Sequence, residues 1–181
     1  MNPAEEIVAF WRDAGPGHWF ARDESFDREI ATRFSAAHHR AARRELDDWA
    51  ESSEGSLALL LLLDQFPRNL FRGSAHAYAT DPLGLVFADR AIARGHDRAI
   101  DRGLRPFFYL PFEHAEDAAS QDRAVRLFEA LGDRNTLDWA LGHQDAIRRF
   151  GRFPGRNAAL GRDTTPEEQA WLESGGGGFS G

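Results

Sequence analysis

One stretch of the chain is apolar at every position, Leu57 to Leu63, with no charge and no β-branched side chain. Leu favours helix, and a helix that is apolar on all sides has to be buried on all sides. Ser56, after Gly55, stands where an N-cap should stand, and Pro67 should end the helix about three turns later. The run is far shorter than the roughly 20 residues of a bilayer span. It predicts the central helix of a helical domain, with Asp64, Gln65, Arg68, Asn69 and Arg72 attached to its end.

Elsewhere apolar residues recur every three to four positions, the helical period. Ile7, Phe10, Trp11 and Ala14 mark a first helix from Pro3 to Asp13, broken at Gly15-Pro16-Gly17 before an aromatic turn at His18-Trp19-Phe20. Phe26, Ile30, Phe34, Ala37 and Ala41 mark a long helix from Asp23 or Ser25 to near Trp49, with Arg28, Arg33, Arg40, Arg43 and Arg44 on its solvated face. Glu51 to Gly55 reads as a loop. Thr80-Asp81-Pro82 opens a helix with Leu85, Ala88 and Ile92 inward and Gly95 at its end. A short amphipathic piece, Asp97 to Gly103, follows.

Arg105 to Phe112 carries two prolines among large apolar residues, which predicts a buried but irregular connector. Glu113 to Asp117 should open the next helix, its acidic first turn suiting the dipole, with Ala118, Gln121, Val125, Phe128 and Leu131 inward. Thr136 begins another, with Leu137, Ala140, Gln144, Ile147 and Phe150 inward. Thr165-Pro166-Glu167-Glu168 is a capping box for a last short helix through Leu172. No useful length alternates with period two. The predicted class is all-α: antiparallel helical hairpins, about 7–9 helices, in one domain over 1–173, then a flexible Gly-rich tail, 174–181.

Composition supports helix, with 28 Ala and 18 Leu against 3 Val and 5 Ile. All 22 basic residues are Arg, planar forks suited to carboxylates and phosphates. A net charge of −7 argues against a general nucleic-acid partner. Without Cys there is no disulfide, thiol nucleophile or thiolate metal site. The acidic amino terminus lacks a basic-then-apolar signal segment, which predicts a cytoplasmic protein.

Phe66-Pro67-Arg68-Asn69 recurs as Phe153-Pro154-Gly155-Arg156-Asn157, each copy after a helix and each followed by a Gly, Gly73 or Gly161. Duplicated helical hairpins would turn both copies toward one concavity. The segments FWRDAGPGHWF…FD, LLLDQFPRNLFRG, FFYLPFEHAED and RRFGRFPGRNAALGR, in this order, resemble the bacterial family called domain of unknown function 924. The resemblance runs from about Phe10 to Leu172. It implies an all-helical fold similar to tetratricopeptide repeats and supplies no reaction. Gly155 and Ala115 stand where the family pattern suggests His and Ser, so neither of those side chains is essential here.

Three groups carry candidate chemistry: Asp64 with Arg68, Asn69 and Arg72; His114 and Glu116 with Glu113; and His143 with Arg152, Arg156, Asn157 and Arg162. The expectation is a pocket for a small anionic ligand, a phosphate or a carboxylate. His114 with Glu116 would be the acid/base pair, and Asp64, Arg68, Asn69, Arg72, His143, Arg152, Arg156 and Asn157 would line the ligand. Structurally, Arg68 and Arg156 could instead pair with Asp64 and Glu116. Two other readings compete: a module whose arginines read a peptide carboxylate, and a His/Glu metal enzyme. Adjacent Glu113 and His114 would point about 100° apart on a helix, which is poor for joint ligation, so no metal or cofactor is expected. His18, His38, His39, His76 and His96 read as surface or turn residues.

Overall fold

A computed structural model describes residues 2–176, which are helical with no strand among them. Part of the expected Gly-rich tail, 177–181, lies outside the described residues. The chain groups into two compact units, one of Met1–Arg72 with His76–Phe108, the other of Gly73–Ala75 with Tyr109–Gly181.

The first unit opens with α1 (Pro3–Ala14), started by a capping box in which Asn2 and Glu5 bind each other's backbone N–H. The expected aromatic turn is a one-turn helix, α2 (Pro16–Trp19). Asp23 caps α3 (Glu24–Ala42) by accepting from Ser25 and Phe26 N–H. This helix stops short of Trp49 because Arg44 turns left-handed (φ 67°), its guanidinium held by Asp47 at 2.7 Å. Its buried stripe is Phe26, Ile30, Phe34, His38 and Ala41, so His38 is a core residue and the half-buried Ala37 is not.

The central rod is longer than expected at both ends. Ser52, not Ser56, caps α4 (Ser53–Leu60), accepting from Gly55 N–H at 3.0 Å. Gly55 is required there, since a Cβ would stand 2.1 Å from the Trp49 carbonyl. Leu57 to Leu63 are all fully buried, as the apolar run demands.

Pro67 does not end the rod. Leu61–Gln65 widens into a π turn, in which Phe66 N–H reaches back to the Leu61 carbonyl, and α5 (Phe66–Leu70) continues with Pro67 in its first turn. Side chains then serve the carbonyls this leaves: His38 Nδ1–H donates to Leu62 O at 2.8 Å, Thr80 Oγ1 to Leu63 O at 2.5 Å, and Arg68 to Asp64 O. Around the rod pack Trp11, Phe34 and Phe107, with Trp11 5.5 Å from both Phe66 and Phe107 and Phe34 5.3 Å from Phe66.

α6 (Asp81–Ala93) starts where Thr80-Asp81-Pro82 predicts. Thr80 and Asp81 give their side chains to Leu63 O and Arg68, however, rather than to a cap. Its inward stripe is turned relative to expectation, onto Gly84, Phe87, Ala88 and Ala91, because Gly84 lets the helix lie against Leu63 and Asp64.

Arg105–Phe112 is buried as predicted, but it is not irregular. It forms α7 (Pro106–Glu113), because Pro106 sits where no N–H is needed and Pro111 costs one hydrogen bond inside eight residues. Glu113 therefore ends a helix instead of opening one. In the second unit Asp117 caps α8 (Ala118–Leu131), whose inward residues are Gln121, Ala124, Phe128 and Leu131. Asp133 caps α9 (Arg134–Phe150), two residues ahead of the expected start. Joined by Gly132 and Asp133, α8 and α9 pack along each other as a hairpin. The Thr165–Glu168 capping box opens α10 (Pro166–Glu173) as predicted.

Candidate functional site

The candidate residues fall into networks built within each unit. In the first, α5 carries Arg68, Asn69 and Arg72 just beyond the π turn. Arg68 forms a bidentate pair with Asp81 at 2.9 and 3.0 Å and lies 3.6 Å from Asp64. Burial opposes its charge, but the carboxylates of Asp64 and Asp81 outweigh that, and its pKa is raised. Arg72 grips Asp27 of α3 in the same two-pronged way at 2.5 and 2.9 Å, and Asn69 donates to the same carboxylate at 2.7 Å.

The second copy of the motif follows α9 and repeats this chemistry with other residues. Arg162 pairs with Glu116 at 2.7 and 3.0 Å and donates to Asn157 Oδ1 at 2.9 Å. Glu116 also accepts from Phe153 N–H at 2.7 Å. Burial would raise the Glu116 carboxyl, yet Arg162 and that N–H pull it below its ordinary value. Arg152 grips Glu168 at 2.6 and 2.8 Å. Arg152, despite opposing burial, and the Thr165 N–H hold Glu168 down to about 2. Both glycines after the copies, Gly73 and Gly161, have positive φ, 73° and 64°.

The acid/base geometry differs from the sequence expectation. Glu116, expected beside His114, faces Arg162 and Phe153. The buried His–carboxylate pair is Glu113 with His143: Glu113 Oε1 lies 3.0 Å from His143 Nδ1, side chains 4% and 6% exposed. The same nitrogen lies 3.0 Å from the Trp139 carbonyl. Both neighbours are acceptors, so Nδ1 is the ring nitrogen that carries a proton toward them.

His114 packs beside His143, with ring centroids 6.2 Å apart. Arg156, also buried, donates to His114 O at 3.1 Å and lies 4.5 Å above the Phe153 ring, whose edge meets His143. Gln121 fixes the corner that carries these groups, its amide donating to Glu113 O at 2.6 Å and Ala115 O at 2.8 Å.

Local pattern marks Glu168 as a capping-box residue, Gln121 as inward and Asp81 as part of a helix start, but it does not pair any of these, or Asp27, with the distant groups they bind. Glu113 was adjacent to His114 in sequence, yet its partner comes from α9. Among the described residues no three His, Asp or Glu side chains are grouped to hold a metal ion. None of the described helices is long and apolar enough to cross a membrane.

A family model described as "Bacterial protein of unknown function (DUF924)" matches residues 7–176. The chain is similar to a solved structure of a protein of unknown function from Agrobacterium tumefaciens, with 59% identity over 94% of this chain and 97% of that one and a TM-score of 0.92. Among curated proteins none matches.

Proposed function

The chain belongs to the bacterial DUF924 family, which supplies a fold and no reaction, and we propose from the site that the second unit binds a small phosphate or carboxylate ligand beside Glu113 and His143. The observation that carries this reading is the buried Glu113–His143 pair. Burying a carboxylate and an imidazole costs several kcal/mol of hydration, on the order of a few per ion, and such pairs concentrate where a proton is handled. Glu113 fixes the ring and its tautomer, and Nε2 is the atom that takes or gives the proton. Arg156 and His114 supply the positive and polar side of the ligand.

This reading narrows the arginine list. Arg68, Arg72, Arg152 and Arg162 each grip a carboxylate with both prongs, which suits holding loops together. Arg156 is buried beside His114 and His143, where it donates to the His114 carbonyl and lies over the Phe153 ring, and in the proposed complex it stands against the ligand. The test compares melting of wild type and Arg156→Gln with and without phosphate or a dicarboxylate at fixed ionic strength, since screening alone imitates binding. A ligand stabilises in proportion to its affinity for the folded state. The expected result is a larger rise in Tm for wild type than for the variant. Equal rises, or none, overturn the proposal and leave Arg156 as a residue that ties the loop to His114.

A further inference from the structure

The fixed charges around His143 balance one another. Glu113, at the end of α7, lies 3.0 Å from its ring, and His114 packs beside it. The turn after α9 brings Phe153, edge-on to the ring, and Arg156 over Phe153. Glu116 binds Arg162 and feels the charge of Arg156. Against its burial, Arg162 and the Phe153 N–H keep Glu116 ionised. From α8, Asp122 accepts from Gln144 and pairs with Arg148. Glu113 and Glu116 thus stand against Arg156 and Arg162, and Asp122 against Arg148. A neutral His143 leaves the group without net charge, the state that burial favours.

An anion entering this group adds negative charge where Glu113, 3% exposed, is already buried. Like charges at short range oppose each other, and an opposite charge favours an ionised group. The ring can restore the balance. It carries one proton toward Glu113 and the Trp139 carbonyl, and its second nitrogen takes another. The imidazolium then lies between two negative groups, Glu113 and the ligand.

We infer that the anion binds this site together with a proton taken up by His143, so that its affinity strengthens as pH falls. The inference rests on the anion reading of the same site and adds its regulation. The sign follows from linkage: a ligand that prefers the charged ring raises that ring's hold on its proton, and the proton raises the ligand's affinity equally. Affinity is therefore greatest where the free ring is already charged, and above that it weakens by up to about tenfold per pH unit for one proton. A site built on arginines alone keeps its affinity over the same range, because their charge does not change.

Sulfate is the probe, because its own charge stays constant between pH 6.5 and 8.5, unlike that of phosphate. Full-length protein with ¹⁵N-labelled histidines is titrated with sodium sulfate at constant ionic strength. At pH 7.5 the His143 ring nitrogens are expected to pass from the neutral to the imidazolium pattern as sulfate saturates. From pH 6.5 to 8.5 the Kd should weaken at least about tenfold. His143→Gln keeps an amide donor for Glu113 and should lose most of this slope; where the variant folds poorly, the wild-type ring spectrum decides. Saturable binding with a constant Kd and an unchanged His143 ring, or with a ring already charged before sulfate is added, overturns the proton coupling and leaves the anion reading standing. Absence of saturable binding at every pH overturns both. A charge change confined to His114 overturns the assignment to His143.

Discussion

Thr80 donates its hydroxyl to the Leu63 carbonyl at 2.5 Å, four residues before a proline that has no N–H to give it. Together with His38 on Leu62, this contact lets the buried rod run through Pro67 to the arginines of α5. The rod's continuity is therefore held by side chains far away in sequence.

Thr80→Val removes that donor at nearly constant volume and leaves a buried carbonyl unsatisfied. The expected cost is about 1–3 kcal/mol in urea unfolding. In a Pro67→Ala background the helix regains a backbone N–H, so the cost of Thr80→Val should shrink. Equal costs in both backgrounds would mean that the hydroxyl serves packing rather than the carbonyl.

His38 introduces a pH dependence near neutrality. Burial lowers its pKa, and the hydrogen bond to Leu62 O only partly restores it. The folded protein then binds fewer protons here than the unfolded chain, whose His titrates near about 6.5. Stability should fall as pH drops below that value, until the lowered folded pKa is passed. Replacement by Gln removes this slope, and chemical denaturation between pH 7 and 5 measures it.

A second loss of stability belongs to more acidic conditions. Glu168 has its folded pKa at about 2, against about 4.3 in an unfolded chain. Its contribution is complete above the unfolded value and disappears as pH falls toward 2. Glu116, lowered mainly by Arg162 against its burial, acts in the same sense. Glu168→Gln should be less stable than wild type at pH 7, with the gap closing as acid is added. A constant gap would show that the carboxylate's charge is not what the hydrogen bonds from Arg152 and the Thr165 N–H recognise.

Gln121 offers a test of the corner that carries Glu113 and His114. Gln121→Leu loses the donors to two carbonyls in a fully buried place, at an expected cost of about 1–3 kcal/mol. If Gln121 also positions Glu113, the His143 ring resonances should shift as well. Loss of stability with unchanged His143 signals would limit its role to the α7 end.

The amino-acid order alone determined the helical class and most helix starts, because caps and apolar periodicity act over a few residues. Asp23, Asp117 and the Thr165–Glu168 box are local devices, and the all-apolar Leu57–Leu63 run could only be buried. The candidate residues were legible by type, as clusters of Arg, His and Glu around the two Phe-Pro motifs. Their partners were not. Asp27 meets Arg72 across 45 residues and Glu116 meets Arg162 across 46, and nothing local marks either carboxylate.

Prolines were the other limit. Sequence treats Pro67 and Pro111 as breaks because each lacks an N–H, but whether a break follows depends on what else reaches the orphaned carbonyls. His38 arrives from α3 and Thr80 from the turn before α6. Only the tertiary structure therefore decided that the central rod continues, that Arg105–Phe112 is helical, and that Glu113 faces His143. α7 tolerates its prolines because Pro106 needs no N–H and Pro111 costs a single bond. The continued rod and the Glu113–His143 pair rest instead on contacts between residues distant in the chain, which local pattern does not encode.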